Sequence, residues 1–278
     1  MEFILGTAQF SGNYGIVNSN FMTDDLATNI LNKAFELGIS TLDTSSTYGN
    51  AHQIIGHNKN KFNIHTKIKE ITNLEMQFET FQKDLDSNII DVVYLHDSKM
   101  AYASISDLQP LLDLKGNKYT HLGISVYTLE EYRKSIKLGV FQFIQIPLNM
   151  LDRKFLQNER KLASKASVKL IARSILLQGL LAMENIDLPI FLSRLKKPLL
   201  DLSSVAAMES LSLRELAIKW ALSLEDLTGI VLGVDNPNQL LELSKIFNSR
   251  KLSPSTLESI EKIQISDSNI LDPRTWVF

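Results

Sequence analysis

Cysteine is absent from the 278-residue sequence. Its absence excludes disulfide bonds, a thiol nucleophile and thiolate ligands for a metal, and it agrees with a reducing compartment. Long apolar runs are also lacking, since none approaches the roughly 20 residues that span a bilayer. The start Met1-Glu2-Phe3 has neither the basic flank nor the apolar segment of a signal peptide. We therefore expect a cytoplasmic protein without a membrane partner.

An excess of charge of either sign is missing as well. The 29 lysines and arginines nearly balance the 31 aspartates and glutamates, which leaves a formal net charge of −2. Such a chain has no long-range attraction for nucleic acid, and we interpret the short basic stretch SRLKKPLL as a solvated loop. The hydrophobic content of 44% suffices for a buried core. The sequence therefore predicts no nucleic-acid partner, and it leaves the oligomeric state open.

Motifs for metal and phosphate chemistry are also missing. The histidines His52, His57, His65 and His121 do not have the spacing of metal ligands, and the chain contains neither a P-loop nor a Gly-x-Gly-x-x-Gly stretch. The sequence therefore predicts no metal site.

Short β-branched runs alternate with longer stretches of helical periodicity, an order that is typical of α/β proteins. Eight such runs, with neither a linker nor a domain boundary between them, favour a closed parallel barrel over an open sheet with a second domain. The sequence therefore predicts a (β/α)8 TIM barrel that forms a single domain over residues 1–278. The runs are FILGTA from Phe3, STLD from Ser40, NIHTK from Asn63, DVVYLHD from Asp91, HLGIS from His121, FIQIP from Phe143, VKLIARS from Val168 and GIVLG from Gly229.

Helix starts are marked by capping residues. Thr128 with Glu131 and Ser212 with Glu215 have the spacing of capping boxes, and Asn236 precedes a proline that suits the first helical position. The long interval 179–228 contains the extra stretch LPIFLSRLKKPLLD. We interpret this stretch as a loop or as an added helix over one rim.

Polar side chains follow three successive predicted strands. The segment TLDTSSTYGNAH ends the second strand with Asp43 and continues to Tyr48, the third strand ends with Lys67, and the fourth ends with His96. In such a barrel the chemistry sits at the carboxyl ends of the strands. We therefore expect these four side chains at one rim.

The four groups together suit proton transfer to a carbonyl oxygen. A free phenol has a pKa of about 10, and a nearby ammonium ion lowers it. Lys67 supplies that charge, Asp43 holds the lysine in place, and an imidazole at His96 orients a carbonyl by a hydrogen bond. Taken singly, Asp43 is more often a cap, Lys67 a solvated charge, Tyr48 a half-buried aromatic and His96 a loop histidine. Their occurrence together at successive strand ends favours a catalytic role for the set.

At these residues the sequence resembles the aldo-keto reductase superfamily. The stretches LGTAQFSGNYGI, LDTSSTYGNAHQIIG, HTKI and VVYLHD are similar to the first four strands of the family, and LGISVYT, FIQIPLNMLDR, IARSILLQGLL and GIVLGVDNPNQLLE follow in the expected order. The resemblance implies hydride transfer from NADPH or NADH to an aldehyde or ketone. It also implies that Tyr48 is the general acid, with Asp43, Lys67 and His96 completing a catalytic tetrad.

The resemblance further implies a set of cofactor contacts. The nicotinamide contacts are Gly6, Thr7, Asp43, Ser125, Gln145 and Arg173, the pyrophosphate contacts are Ser174, Leu176 and Gly179, and the adenosine contacts are Gly233, Asn236 and Gln239. Two departures from the family pattern affect the cofactor. Arg173 replaces a tyrosine that stacks on the nicotinamide, although a planar guanidinium can also stack. Asp235 is unfavourable beside a 2′-phosphate, so the choice between NAD and NADP stays open.

The substrate is expected to be a small carbonyl compound that contacts Tyr48 and His96. Phe10 and Tyr14 are candidate walls of its pocket, and Trp276 in the short carboxyl-terminal tail is a candidate cover. The short tail predicts an open site, suited to a bulky or hydrophilic molecule such as a sugar derivative. Two alternatives remain: an epimerase or isomerase of a sugar derivative that retains its cofactor, and a nicotinamide-binding sensor or subunit without turnover.

Overall fold

The computed structural model describes residues 1–12, 22–156, 158–184, 186–265 and 268–276, without the side chains of residues 158 and 268. Within these residues eight parallel strands close into a barrel in which each strand pairs with the next and β8 pairs with β1. The barrel that the sequence predicts is therefore confirmed. The strands are β1 Glu2–Gly6, β2 Thr41–Asp43, β3 Asn63–Ile68, β4 Ile90–Leu95, β5 Tyr119–Ser125, β6 Phe143–Pro147, β7 Lys169–Arg173 and β8 Gly229–Gly233.

Helices connect the strands on the outside of the barrel. The described residues include α1 Asp24–Glu36, α2 Ala51–His57, α3 Leu74–Asp84, α4 Ile105–Leu112, α5 Leu129–Leu138, α6 Asn158–Lys165, α7 Lys196–Met208, α8 Leu213–Leu222, α9 Pro237–Phe247 and α10 Pro254–Lys262. Short 3₁₀ turns occupy Ala8–Ser11, Ser98–Tyr102, Leu177–Ala182, Ile190–Leu195, Ser268–Leu271 and Pro273–Thr275. No helix of the described ranges has the length and apolar character of a membrane span.

The predicted caps form as the spacing indicates. The Thr128 hydroxyl accepts a hydrogen bond from the Glu131 N–H at 3.2 Å, while the Glu131 carboxylate accepts one from the Thr128 N–H at 2.9 Å. Ser212 and Glu215 form the same reciprocal pair at the start of α8. Asn236 accepts a hydrogen bond from the Gln239 N–H at 2.9 Å and begins α9. These bonds satisfy N–H groups that the first helical turn leaves unpaired.

The extra stretch between β7 and β8 is helical. A 3₁₀ turn over Ile190–Leu195 leads into α7, and four leucines on one side of this segment are buried. The added-helix interpretation is therefore the one that the structure supports, because a spacing of three or four residues gives the segment an apolar face. The buried leucines are Leu192, Leu195, Leu199 and Leu202.

Two apolar cores divide the barrel into an inside and an outside. Successive side chains on a barrel strand alternate between the interior and the helices. Alternate strand positions supply a small separate cluster, which we assign to the interior, and most other buried apolar residues form one large cluster between strands and helices. The interior cluster leaves the carboxyl-terminal strand ends free for polar side chains. Its buried members are Ile4, Val92, Tyr94, Phe143 and Ile171.

Close packing between α2 and α3 gives a test of the fold. A Cβ atom added at Gly56 would fall well inside contact distance of the Asp84 carbonyl oxygen and 2.9 Å from the Leu85 carbonyl carbon. We expect Gly56→Ala to lower the free energy of unfolding by about 1–3 kcal/mol, measured by urea denaturation. In an uncrowded helix the same change would stabilise by about 1 kcal/mol. Gln53→Ala, on the exposed side of α2, is the control, and equal or greater stability of the Gly56 variant would contradict the packing.

Candidate active site

A cleft of about 570 Å³ opens at the carboxyl ends of the strands. This is the size of a small-molecule site. Strand ends and the residues just after them provide one side of the lining: Gly6, Asp43, Tyr48, Lys67, His96, Ser125, Arg173 and Gly233. Segments outside the strands add Gln9, Tyr127, Ser174, Leu176, Gln178, Gly179, Arg214, Asp235, Gln239, Pro273 and Arg274, among others.

A buried ion pair lies at the base of this cleft. The Lys67 ammonium is 2.5 Å from a carboxylate oxygen of Asp43, and the two side chains are only 3% and 8% exposed. Lys67 also donates to the Thr44 carbonyl oxygen at 3.0 Å. The second carboxylate oxygen of Asp43 accepts a hydrogen bond from the side-chain amide of Gln145. Both charges are therefore fixed in position by neighbours from β2, β3 and β6.

Tyr48 lies next to the lysine, on the loop between β2 and α2. The Lys67 nitrogen is 5.2 Å from the centroid of the Tyr48 ring, and Tyr48 is half-buried. Burial alone would lower the pKa of Lys67, but the Asp43 carboxylate, together with Tyr48, outweighs burial and raises that pKa above its ordinary value. Lys67 is therefore an ammonium ion at neutral pH. The expectation that amine, carboxylate and phenol meet at one rim agrees with this geometry.

His96 directly follows β4, where its backbone N–H donates to the Ile68 carbonyl oxygen at 2.9 Å. The sequence places it as the last residue of the strand, one position beyond the observed end. Burial, and then the positive charges of Lys67 and Arg173, lower the pKa of His96 to about 4. The imidazole is therefore neutral at pH 7, a state in which one ring nitrogen donates a hydrogen bond.

Arg173, at the end of β7, turns toward the end of β5. Its guanidinium donates to the Ser125 hydroxyl at 3.1 Å and to the Val126 carbonyl oxygen at 3.3 Å. Its central carbon is 4.2 Å from the centroid of the Tyr127 ring, and that of Arg274 is 3.5 Å from the same centroid. Tyr127 therefore holds two cationic side chains at one edge of the cleft.

The loop after β7 has unusual backbone conformations where it lines the cleft. Ser174, Leu177 and Gln178 have φ values of 62°, 45° and 52°, and Gly179 has 98°. Non-glycine residues in this left-handed region are strained, and such conformations are concentrated at binding sites. Turns of this kind direct neighbouring N–H groups into a concave surface that binds anions. The loop therefore has the kind of backbone that is typical of binding sites.

Gly233, at the end of β8, and Arg214, on α8, both line the cleft. A Cβ atom at Gly233 would overlap the side-chain amide of Gln9, so a larger residue there would require Gln9 to move. Arg214, on α8, also lines the cleft and lies 3.6 Å from the Glu242 carboxylate of α9. The sequence assigns no basic residue to the expected adenosine contacts, and the structure adds Arg214 of α8 to the lining of the cleft.

Several predicted site residues lie near the cleft without lining it. Thr7 donates to the Asp43 carbonyl oxygen at 3.1 Å, and Gln145 contacts the carboxylate of the same residue. Asn236 caps α9. Phe10 and Trp276 are buried in the outer core, where the Trp276 indole donates to Ile270. These residues support the site from outside, because their side chains satisfy buried polar groups or pack in the core.

One predicted wall residue, Tyr14, lies outside the described residues. The cofactor and substrate contacts that the sequence assigns stay predictions. Sequence reasoning missed Tyr127, Arg214 and Arg274. Tyr127 lies two residues after the predicted contact Ser125, and this closeness in sequence is the signal that could have identified it. Within the described residues no group of three or more acidic or histidine side chains is arranged to hold a metal ion.

Comparison with known proteins gives a family and a fold. The sequence profile of the aldo/keto reductase family matches residues 2–265. A search of curated proteins found no match. An aldo-keto reductase from Bacillus halodurans, solved in a holo form, has a TM-score of 0.78 and 18% identity, with 96% of this chain and 93% of that chain covered. A glycerol dehydrogenase from Gluconobacter oxydans has a TM-score of 0.73 and 19% identity, with 94% and 90% covered.

The charge state of His96 can be tested by NMR. Because burial, Lys67 and Arg173 oppose protonation, we expect the imidazole to titrate with a midpoint at about 4, measured in ¹H–¹⁵N spectra and assigned by comparison with His96→Asn. Arg173→Gln removes one opposing charge and should raise the midpoint. Arg250→Gln removes an exposed charge elsewhere and should leave it unchanged. A midpoint at the ordinary value of 6.5 in the wild type would refute this electrostatic environment.

Proposed function

The chain belongs to the aldo/keto reductase family, and we propose that it uses NADPH or NADH to reduce an aldehyde or ketone to an alcohol. The observation that carries this proposal is the buried Lys67 ammonium, held between the Asp43 carboxylate and the Tyr48 ring. The cytoplasmic location and a small-molecule carbonyl substrate are part of the same proposal, on the sequence grounds given above.

Each side chain of the tetrad has one task in this reaction. Tyr48 donates its hydroxyl proton to the carbonyl oxygen, and the Lys67 ammonium stabilises the phenolate that remains. Asp43 keeps the lysine in place and limits the net charge of the site. His96, neutral at pH 7, donates a hydrogen bond that orients the carbonyl group. The reduced nicotinamide, when bound, supplies the hydride.

The cleft has features that suit a dinucleotide. The loop after β7 lines the cleft with Gln178 and Gly179, and α9, whose amino-terminal dipole favours an anion, begins beside the same cleft. Because Gly6 has no side chain, a cofactor can approach the backbone closely at this point of the cleft. A Cβ atom there would also be crowded, since it would lie 3.0 Å from a Val231 methyl group. Arg214 offers a positive charge for a 2′-phosphate, whereas Asp235 opposes one. The proposal therefore includes both cofactors.

Removing the proposed proton donor is the main test. We expect Tyr48→Phe to abolish reduction of a panel of aldehydes while the dissociation constant for NADPH, measured by fluorescence, changes little. The reason is that phenylalanine keeps the ring but has no proton to donate. Tyr102→Phe, at an exposed tyrosine, is the matched control. Undiminished activity of the Tyr48 variant would end the proposal.

The same assays separate the two alternatives. A changed sugar without net consumption of NADPH or NADH would favour an epimerase or isomerase. Tight binding of nicotinamide by the wild type, with no turnover of any carbonyl compound, would favour a sensor or subunit.

Cofactor preference is tested at Arg214. We expect Arg214→Gln to raise the dissociation constant for NADPH about tenfold, because a charge-assisted hydrogen bond to phosphate is lost. The constant for NADH should change little. Lys245→Gln removes an exposed charge from α9 and serves as the control. Equal effects on the two cofactors would show that Arg214 does not read the 2′-phosphate.

A further inference from the structure

Arg173 is a half-buried cation whose partners are all uncharged. Its guanidinium donates to the Ser125 hydroxyl, the Val126 carbonyl oxygen and the Ser174 hydroxyl, at 3.1, 3.3 and 3.4 Å. Its fourth neighbour is the Tyr127 ring. These contacts orient the guanidinium, but none of them neutralises its charge.

The other lysine and arginine side chains that line the cleft each face a carboxylate. Lys67 pairs with Asp43 at 2.5 Å, Arg214 with Glu242 at 3.6 Å, and Arg274 with Asp272 at 2.5 Å. Arg173 has no carboxylate within ion-pair distance in the part of the chain that the structure describes. Charged groups removed from water are normally paired, so a ligand anion is a natural partner for this arginine.

Arg173 does not stand alone at this edge of the cleft. Arg274 lies in the turn Pro273–Thr275 and contacts the same Tyr127 ring as Arg173. The guanidinium carbons of Arg173 and Arg274 are 4.2 and 3.5 Å from the ring centroid. Asp272 orients Arg274 and balances its charge. The arginine pair, Arg173 and Arg274, therefore offers two planar donor groups with one uncompensated charge, a combination that suits a carboxylate or phosphate.

The arginine pair shares the cleft with the proposed reaction centre. The charge of Arg173 helps to lower the pKa of His96, after burial and Lys67, and both residues line the same cavity. A small molecule whose carbonyl group contacts Tyr48 and His96 can therefore also contact the arginine pair. The neutral imidazole does not compete with Arg173 for an anion.

We propose that the substrate is an anionic carbonyl compound whose carboxylate or phosphate group binds Arg173, with Arg274 beside it, while its carbonyl group faces Tyr48 and His96. This inference rests on the proposed carbonyl reduction and adds the charge of the substrate. Two of the three hydrogen bonds of Arg173 direct it to the end of β5. The phosphates of the cofactor are instead expected at the loop after β7.

Matched aldehydes test the charge preference. The wild type, with NADPH and with NADH, is assayed with 4-carboxybenzaldehyde and with methyl 4-formylbenzoate, which has the same aldehyde but no charge. We expect kcat/KM for the acid to exceed that for the ester by roughly tenfold or more, as a charge-assisted hydrogen bond implies. The preference should shrink as salt concentration rises.

Variants of Arg173 locate that preference. Arg173→Gln should raise KM for the acid about tenfold more than it changes KM for the ester, so that most of the preference for the acid is lost. Arg173→Lys keeps the charge and should retain part of the preference. Arg250→Gln is the matched control at an exposed site. Thermal unfolding checks that the variants are folded, and the salt dependence of the wild type is independent of any variant.

A second pair of substrates separates the two kinds of anion. Glyceraldehyde 3-phosphate is compared with glyceraldehyde in the same assays. A preference for the phosphate ester that is larger than the preference for the carboxylate identifies a phosphate site, and the reverse identifies a carboxylate site.

The outcomes keep the inference apart from the proposed function. Reduction of both members of each pair with equal efficiency would overturn the inference and leave carbonyl reduction intact. Equal losses for acid and ester in Arg173→Gln, with weaker NADPH binding, would assign Arg173 to the cofactor and also overturn it. If the wild type reduces none of these aldehydes, the proposed function fails for them. Calorimetric binding of 4-carboxybenzaldehyde to the NADP⁺-bound protein, compared with the ester, then decides the charge preference.

Discussion

The ion pair between Lys67 and Asp43 is the interaction on which the rest of the site depends. Removing two charges from water costs several kcal/mol for each ion, and the interior offsets this only with close partners. Gln145 and the Thr44 carbonyl oxygen provide those partners here. Lys67, Asp43 and Gln145 come from three different strands, and Thr44 follows one of them. The ion pair and its partners therefore come together only when the barrel closes in register. Fold and proposed chemistry therefore share one constraint.

The two cores explain why this constraint can be met. The inner cluster around Tyr94 and Phe143 fills the barrel below the ion pair, and the outer core anchors the helices. Position 123 requires a glycine because the Tyr94 ring occupies the space where a Cβ atom would lie. With the interior filled, water reaches the polar groups mainly from the cleft. The field of Lys67 at Tyr48 and His96 is correspondingly less screened.

The sequence predicted the parts of the molecule that local pattern determines. The alternation of strands and helices, the capping boxes at Thr128 and Ser212, and the polar residues at three strand ends all follow from local sequence patterns. Tyr127, Arg214 and Arg274 could not be found in this way, because their positions depend on how a loop, α8 and the carboxyl-terminal turn pack on distant elements. Trp276 illustrates the same limit, since an aromatic residue near the end of the chain can either pack in the core or cover the cleft.

The left-handed loop after β7 ties the shape of the cleft to the stability of the fold. Ser174 and Gln178 line the cleft in strained conformations, and such conformations persist only where the surrounding structure holds them. The packing of the rest of the protein therefore sets the shape of this wall.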